Sequence, residues 1–264
     1  MIDLHSHILP GLDDGASDWD QSLVMARTAV EDGIKGLVCT PHWVPGKYEN
    51  TRLLILERFA EFREKLREKS IPLDVYPGAE LRIDIDLARR LLAGELLTIN
   101  DGGSYALIEL PDEGLPDNLE DYFWQIRLKG IRPIIGHVER NSTLRHDPDR
   151  LYRWAETGIL TQITASSILG EFGEDVREFS VRLLEHRMVH MVVTDSHGLR
   201  VRAPKLSGAF QAIEELLGRE IAEEMTRGIP EQIINGESFT PAEPLPLKKP
   251  GKKSFLGKFF ACSR

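Results

Sequence analysis

Cysteine is nearly absent from this sequence of 264 residues, which contains only Cys39 and Cys262. Two cysteines cannot build the disulfide framework that stabilises small secreted domains. Such low cysteine usage fits a reducing compartment, so we expect a cytoplasmic protein.

The sequence also lacks a long hydrophobic run. No apolar stretch approaches the roughly 20 residues that a helix needs to span a bilayer. The N-terminal MIDLHSH has neither the basic start nor the apolar stretch of a secretory signal peptide. We therefore expect neither a membrane-spanning helix nor a signal peptide.

Acidic residues outnumber basic ones except in the C-terminal segment. The formal net charge is −9, yet residues 240–264 contain six basic residues and one acidic residue, so residues 1–239 carry −14. General nucleic-acid binding depends on neutralising phosphates with basic side chains, and this acidic body argues against it. Clustered carboxylates can instead bind cations.

The chain length suits one α/β domain followed by a short tail. We predict a domain over residues 1–239 and a disordered, proline- and lysine-rich tail over residues 240–264. The tail is either a solvated terminus, which is the commoner case, or a segment that contacts an anionic membrane surface. In the second case each basic residue would contribute about 1 kcal/mol to membrane binding.

Short apolar runs alternate with helical segments along the domain, and no glycine-rich dinucleotide-binding loop interrupts them. Seven β-strands are predicted at residues 2–7, 34–40, 72–76, 105–110, 131–137, 159–164 and 189–194. Helices are predicted at residues 18–32, 51–69, 84–93, 119–129, 148–156, 175–187, 204–217, 219–227 and 230–235. This alternation predicts a parallel sheet with helices outside, either doubly wound or closed into a barrel, and the seven strands favour the barrel.

Histidines and carboxylates recur at the ends of the predicted strands. In parallel β/α architectures, binding sites are built at the carboxyl ends of the strands. Five of the eight histidines fall at that edge, which scattered histidines would have no reason to choose. The candidate ligands there are His5, His7, His42, Glu80, Glu109, His137, Asp195 and His197.

The D-x-H-x-H pattern of Asp3, His5 and His7 has a direct geometric meaning. Side chains two apart on a strand point to the same side, so both imidazoles can face one ion. Asp195 and His197 have the same spacing. Imidazole and carboxylate together suit Zn, Mn and Fe, and the many acidic ligands suggest two or three ions with a bridging carboxylate.

Each of these residues also has an ordinary structural explanation. A single buried histidine is more often a hydrogen-bonded core residue than a ligand. Glu80 could cap a helix, Glu109 could pair with an arginine, and the Asp-Asp-Gly at 13–15 could be a plain turn. All these coincidences would have to fall on one rim of the fold, so a metal site explains the pattern better.

As a set, the motifs resemble those of the polymerase and histidinol phosphatase (PHP) superfamily of metal-dependent phosphoesterases. The shared motifs are IDLHSH at 2–7, TPH at 40–42, Glu80, GHVER at 136–140 and TDSHG at 194–198. Within that superfamily the chain is most similar to the metal-dependent bacterial protein-tyrosine phosphatases of capsule and exopolysaccharide synthesis. The marks of that branch are DLHSHILPGLDDGA at 3–16, GHVER and QITASSILG at 162–170.

The resemblance implies a distorted (β/α)7 barrel of the PHP type, with three divalent metal ions at the C-terminal ends of its strands. Mn is the first candidate, and Fe or Zn are the alternatives. The matched motifs imply which residues would hold each ion. The first ion would be held by His5, His7, Glu80 and Asp195. Glu80 would bridge to the second ion, which Glu109 and His137 complete, and the third would be held by Asp14, His42 and His197.

Two arginines are implied as phosphate-binding residues. Arg140 lies in the GHVER motif, and Arg202 follows the last motif, where Arg200 is its rival. A guanidinium group matches phosphate oxygens in a bidentate way that an ammonium group cannot.

The resemblance implies a phosphoric monoester hydrolase that cleaves phosphotyrosine by direct attack of a metal-bound hydroxide, because a bound ion can lower the pKa of water to about 7. We expect no phosphoenzyme intermediate, and either Asp14 or His42 to protonate the leaving group. A cysteine-based mechanism is excluded, since it needs an arginine six positions after the thiolate and neither Cys39 nor Cys262 has one.

The implied partner is a bacterial tyrosine kinase that regulates polysaccharide export. Membrane contact by the tail would suit a kinase at the inner membrane. The alternatives are a small-molecule phosphomonoesterase of the histidinol-phosphatase type, a nucleic-acid phosphoesterase, which the acidic body disfavours, and a non-catalytic PHP module. The last would be expected to lack ligands that this sequence retains.

Overall fold

A computed structural model describes residues 1–111 and 114–247, in which helices surround mainly parallel β-strands. The strands are β1 Ile2–Ser6, β2 Gly36–Cys39, β3 His42–Val44, β4 Tyr48–Glu49, β5 Asp74–Pro77, β6 Glu80–Arg82, β7 Tyr105–Glu109, β8 Arg132–Ile135, β9 Leu160–Thr164 and β10 Met191–Val193. The helices are α1 Trp19–Glu31, α2 Arg52–Glu68, α3 Leu87–Leu92, α4 Leu119–Arg127, α5 Ser142–His146, α6 Asp149–Glu156, α7 Ala165–Ile168, α8 Glu174–Glu185, α9 Ser207–Leu217, α10 Arg219–Glu223 and α11 Ile229–Ile234. A 3-10 turn spans Ile99–Asp101, and a π-helical turn spans Glu224–Gly228.

The strands form two sheets. One has the order β1-β2-β5, and the other has the order β10-β9-β8-β7-β6-β3-β4. All paired strands are parallel except the hairpin of β3 and β4. The α/β class and the parallel sheet predicted from the sequence are therefore confirmed.

Each of the seven predicted strands is present, and three short strands were not predicted. β3 and β6 follow β2 and β5 after a break of two residues, at Thr40–Pro41 and Gly78–Ala79. Both continue into the second sheet, where His42 pairs with Glu80. Strands of two or three residues carry too little periodicity to be recognised in a sequence.

The first and last strands meet at their carboxyl ends. Ser6 and Ser196 form an isolated parallel bridge, and the backbone N–H of Asp195 donates to the carbonyl of His5 at 2.9 Å. The Asp3 carboxylate accepts from the backbone N–H of Thr194 at 3.0 Å. These contacts place the motif at residues 2–7 next to the motif at residues 194–198.

Apolar side chains pack in two groups. The larger lies between strands and helices, as the amphipathic helices require. The smaller is lined by alternate residues of different strands, Leu4, Val38, Leu107, Ile134, Leu160, Met191 and Val193. Because alternate strand residues share a face, these strands turn one side toward a common interior.

Order extends beyond the predicted end of the domain at residue 239. The backbone N–H of Leu245 donates to the carbonyl of His186 at 2.9 Å, and Arg132 Nη1 donates to the carbonyl of Phe239 at 2.8 Å. The segment 240–247 therefore lies against the domain instead of leaving it. Residues 248–264, which carry most of the predicted tail and its proposed membrane contact, lie outside the described residues.

None of the helices in the described part of the chain has both the length and the apolar character needed to cross a membrane.

Candidate metal centre

A cavity of about 290 Å³ opens at the carboxyl ends of the parallel strands. Most residues predicted for the site line it, namely Asp14, His42, Glu80, Glu109, His137, Arg140, Asp195, His197 and Arg202. His5 and His7 are fully buried behind them and contact Glu80. All the residues predicted for the site are thus brought together.

The tightest group of side chains contains His5, His7, Glu80 and Asp195. The Nε2 atoms of the two imidazoles lie 3.0 Å apart, which shows that both rings point to the same side of β1. Glu80 Oε2 lies 3.2 Å from His5 Nε2 and 3.3 Å from His7 Nε2. Asp195 Oδ1 is 3.4 Å from each of the same nitrogen atoms. Four donor atoms therefore surround one point.

Two further groups of donor atoms share residues with the first. One contains His42, Glu80 and Glu109, and the other contains His7, Asp14, His42 and His197, with the donor atoms of each group within 4.8 Å of one another. His137 was expected beside Glu109. In that prediction both residues share the second ion with Glu80, and the Nε2 atom of His137 lies 2.8 Å from Glu80 Oε1. His42 Nδ1 lies 3.6 Å from Glu109 Oε2.

Several donor atoms in these groups are buried without a hydrogen bond from any described residue. They are His42 Nδ1, Glu80 Oε2, Glu109 Oε2 and His197 Nε2. Buried polar atoms are normally hydrogen-bonded, because leaving one unpaired costs about 1–3 kcal/mol. Donor atoms that converge in this way without hydrogen bonds suit a cation, so these residues fit a set of divalent metal ions.

The ionisation states of the carboxylates and of His197 suit metal binding. Burial alone would raise the pKa of Glu80, but the charge of His5 and hydrogen bonds from the surrounding imidazoles hold that pKa well below its usual range. Asp195 shows the same balance, with His5 the largest opposing charge. Burial, helped by the charge of His7, lowers the pKa of His197 to about 3. Ionised carboxylates and neutral imidazoles are the forms that ligate metals.

The pKa of His7 is shifted in the opposite direction to that of His197. Burial lowers the pKa of His7, but the charge of Asp13 and hydrogen bonds with Asp13, Asp195 and Glu80 raise it well above its usual value. An ion bound there would therefore displace a proton.

Two arginines reach the cavity from different loops, Arg140 from the loop after β8 and Arg202 from the loop after β10. Arg140 Nη2 lies 2.6 Å and Arg202 Nη1 lies 3.3 Å from the same oxygen, Asp195 Oδ2. The guanidinium of Arg140 also lies over the Phe172 ring, 5.3 Å from its centroid. Arg200, the rival of Arg202, lines a different cavity.

Some site residues have unusual backbone conformations. His137, Asp195 and Arg202 have φ angles of 32°, 51° and 51°, in a region that non-glycine residues rarely adopt. Such conformations cost about 1–3 kcal/mol each and cluster at functional sites. Gly15 is required for space, since a Cβ there would lie 2.0 Å from the carbonyl oxygen of His7.

Asp13 is a site residue that was not predicted, because the Asp-Asp-Gly at 13–15 was interpreted as a turn. Its buried carboxylate accepts from His7 Nδ1 at 2.7 Å, from the backbone N–H of His42 at 2.9 Å and from that of Gly15 at 2.9 Å. This leaves His7 Nε2 facing Glu80. A carboxylate behind an imidazole fixes the ring and makes it a more basic ligand.

Gln162 was also missed as a site residue. Its side-chain amide contacts His5 Nδ1 at 2.5 Å, on the side of the ring that faces away from the carboxylates. The position lies within the apolar strand β9, so only its polarity at a buried site could have identified it.

We predict that Asp13→Asn weakens metal binding by about 10- to 100-fold, the usual effect of removing a carboxylate behind a metal-bound histidine. The measurement is a competition titration against a chelating dye, with circular dichroism to verify folding. Asp20→Asn, at an exposed position in the first turn of α1, is the matched control. Equal metal affinity of the two variants would contradict a role for Asp13 behind His7.

Comparison with known proteins identifies the family. The model of the capsular polysaccharide synthesis family CpsB/CapC matches residues 1–235. The chain is 37% identical over 249 residues to the tyrosine-protein phosphatase YwqE of Bacillus subtilis (strain 168), covering 94% of this chain and 97% of YwqE. It is 31% identical over 239 residues to the tyrosine-protein phosphatase CpsB of Streptococcus pneumoniae, covering 89% and 98% of the two chains.

Solved structures agree with this result. One is a crystal structure reported for YwqE of Bacillus subtilis and CpsB of Streptococcus pneumoniae, which are metal-dependent tyrosine phosphatases. It superimposes on this chain with a TM-score of 0.90 at 37% identity, and the match covers 94% of this chain and 100% of the other. The histidinol phosphate phosphatase of Lactococcus lactis shares the fold at 13% identity, with a TM-score of 0.54 over 82% of this chain and 93% of that one. The chain is therefore a member of the CpsB/CapC family of capsular polysaccharide synthesis proteins.

Proposed function

We propose that this protein is a metal-dependent protein-tyrosine phosphatase that hydrolyses phosphotyrosine in a protein of capsule or exopolysaccharide synthesis. The observation that carries the proposal is the cavity in which three imidazole–carboxylate groups meet two arginines. Such a cavity pairs cation ligands with groups that bind phosphate oxygens. The relatives at 31–37% identity are tyrosine phosphatases, which favours phosphotyrosine over other phosphate esters.

We propose that the two sheets together form the distorted (β/α)7 barrel of the PHP type. β2 runs on toward β3 and β5 toward β6, so that seven chain passages surround the smaller apolar group. The contacts of Ser6 with Ser196 would close the ring between β1 and β10. In this arrangement all ligands project from one end of the barrel.

The proposed metal ligands are those expected from the family motifs. Three divalent ions would be held by these overlapping groups, with Glu80 serving two of the ions, and Mn is our first choice because the donors mix imidazole with several carboxylates. The full set is His5, His7, Asp14, His42, Glu80, Glu109, His137, Asp195 and His197. His137 would share its ion with Glu80, whose Oε1 atom it contacts.

Divalent ions in this site would supply Lewis-acid chemistry, lowering the pKa of water and neutralising phosphate charge. The side chains of the protein perform the remaining tasks. Arg140 and Arg202 are proposed to bind the phosphate oxygens, and both reach the cavity beside Asp195. Their shared contact with Asp195 holds the two guanidinium groups in place before substrate arrives, which reduces the entropy lost on binding.

Departure of the tyrosine requires a proton on its phenolate oxygen. Asp14 has a side chain that is 49% exposed in the cavity, and His42 lies 3.6 Å from it, so either residue could donate the proton. A phenolate, with a reference pKa near 10, leaves more easily than an alkoxide. Water is the proposed nucleophile, because Cys39 is buried and burial raises the pKa of its thiol.

The proposed partner is a tyrosine kinase that controls polysaccharide export. The match to a capsular polysaccharide synthesis family supports a substrate within that process. We also propose that the protein acts in the cytoplasm, and that the basic residues beyond 247 could bring it to the inner membrane surface.

The direct test of this function is hydrolysis of a phosphotyrosine peptide by the metal-loaded protein. We predict phosphate release with Mn, loss of release after treatment with a chelator, and recovery on adding Mn back, because divalent ions would supply the Lewis-acid chemistry of the site. Cys39→Ala is the matched control and should retain nearly full activity. Faster release from histidinol phosphate than from the peptide would favour a small-molecule phosphatase instead.

The roles of the arginines predict a clear ranking. Arg140→Ala and Arg202→Ala should each lower kcat/KM by about 30-fold, since each removes a charged hydrogen-bond donor to phosphate worth about 2 kcal/mol. Arg200→Ala should change kcat/KM little, because Arg200 lines another cavity. Metal content, measured on each preparation, should stay unchanged. A larger loss in Arg200→Ala than in Arg202→Ala would reverse the assignment.

A further inference from the structure

Four basic side chains line the cavity, and three of them already have carboxylate partners. Arg82 lies 3.0 Å from Glu109, and Arg140 and Arg202 both contact Asp195. Lys47 is the exception, since no described carboxylate lies within ion-pair distance of its Nζ atom. It thus offers a positive charge that a ligand can use without breaking an existing ion pair.

Lys47 contacts the site through the ring of Tyr48, which stacks on His42. It lies in the turn between β3 and β4, with Nζ 4.6 Å from the centroid of the Tyr48 ring. The Tyr48 ring stacks on His42 at 5.8 Å with an interplanar angle of 7°. Asn50 fixes the hairpin, donating through Nδ2 to the carbonyls of His42 and Leu12, each at 2.8 Å. The hairpin therefore places Lys47 at the wall of the cavity, where its exposed side chain remains free to reach a ligand.

We propose that Lys47 is a specificity-determining residue, which binds a carboxylate beside the phosphotyrosine of the substrate and so selects acidic peptides. This inference rests on the proposed function. It adds the sequence preference that the catalytic groups alone would not provide. The recognised chemistry is an aspartate or glutamate side chain adjacent to the modified tyrosine.

A carboxylate fits Lys47 better than the phosphate does. The phosphate has two arginines at Asp195, whose guanidinium groups can bind it in a bidentate way. An ammonium on a flexible stem is a point charge, which suits a carboxylate whose position varies with the peptide.

The test compares three substrates on the Mn-loaded full chain: a phosphotyrosine peptide with glutamates on both sides, the same peptide with glutamines, and phosphotyrosine alone, blocked as its N-acetyl amide, which carries no carboxylate. The wild type should prefer the glutamate peptide by about fivefold in kcat/KM, the scale of one exposed ion pair. Lys47→Gln should abolish this preference and leave kcat/KM for the blocked phosphotyrosine unchanged. Lys47→Arg should keep the preference, and Lys47→Glu should reverse it.

Lys69→Glu controls for the change in net charge, because Lys69 is exposed at the end of α2, away from the cavity, and should retain the preference. An equal loss on all three substrates in Lys47→Gln would mean that Lys47 acts on the phosphoryl group, which overturns the proposal. A preference that survives in Lys47→Gln overturns it too. If the wild type releases no phosphate even from the blocked phosphotyrosine, the proposed function itself fails.

Discussion

The structure of the site depends on one buried carboxylate, that of Glu80, which is fully enclosed and contacts four imidazoles. His5, His7 and His42 approach Oε2 at 3.0–3.3 Å, and His137 approaches Oε1 at 2.8 Å. These residues come from separate strands or from the loops that follow them. An ionised carboxylate without compensation would be too costly to bury, so the imidazoles must converge on it.

This convergence links the metal centre to folding. Buried donor atoms that converge without hydrogen bonds cost stability, and a cation bound among them would offset that cost, so ion binding is expected to contribute to stability. Hydrogen bonds on both sides of the cluster hold these donor atoms in place. Asp13 and Gln162 hold the outer nitrogen atoms of His7 and His5, and Asp3 accepts a hydrogen bond from Thr194 where β1 meets β10. Beneath them lies the smaller apolar group.

Much of this arrangement could be predicted from the sequence, because local rules determine it. Alternation on β1 places His5 and His7 on one side, and the parallel sheet places the other candidate ligands at the same edge. What escaped prediction depends on distant contacts. In the sequence, Asp13 looks like a turn residue, and only the structure shows that its carboxylate contacts His7. The grouping of His42 with Glu109 follows from the short strands β3 and β6, which are too short to show periodicity in the sequence.

The chemistry assigned here requires metal ions between donor atoms that otherwise face each other directly. An anomalous difference map, from crystals grown with Mn and measured near its absorption edge, would locate the ions. The account predicts peaks within bonding distance of Glu80, with at least one peak also bonded to His5, His7 and Asp195. A map without peaks among these side chains, with the imidazoles still in direct contact with Glu80, would contradict it.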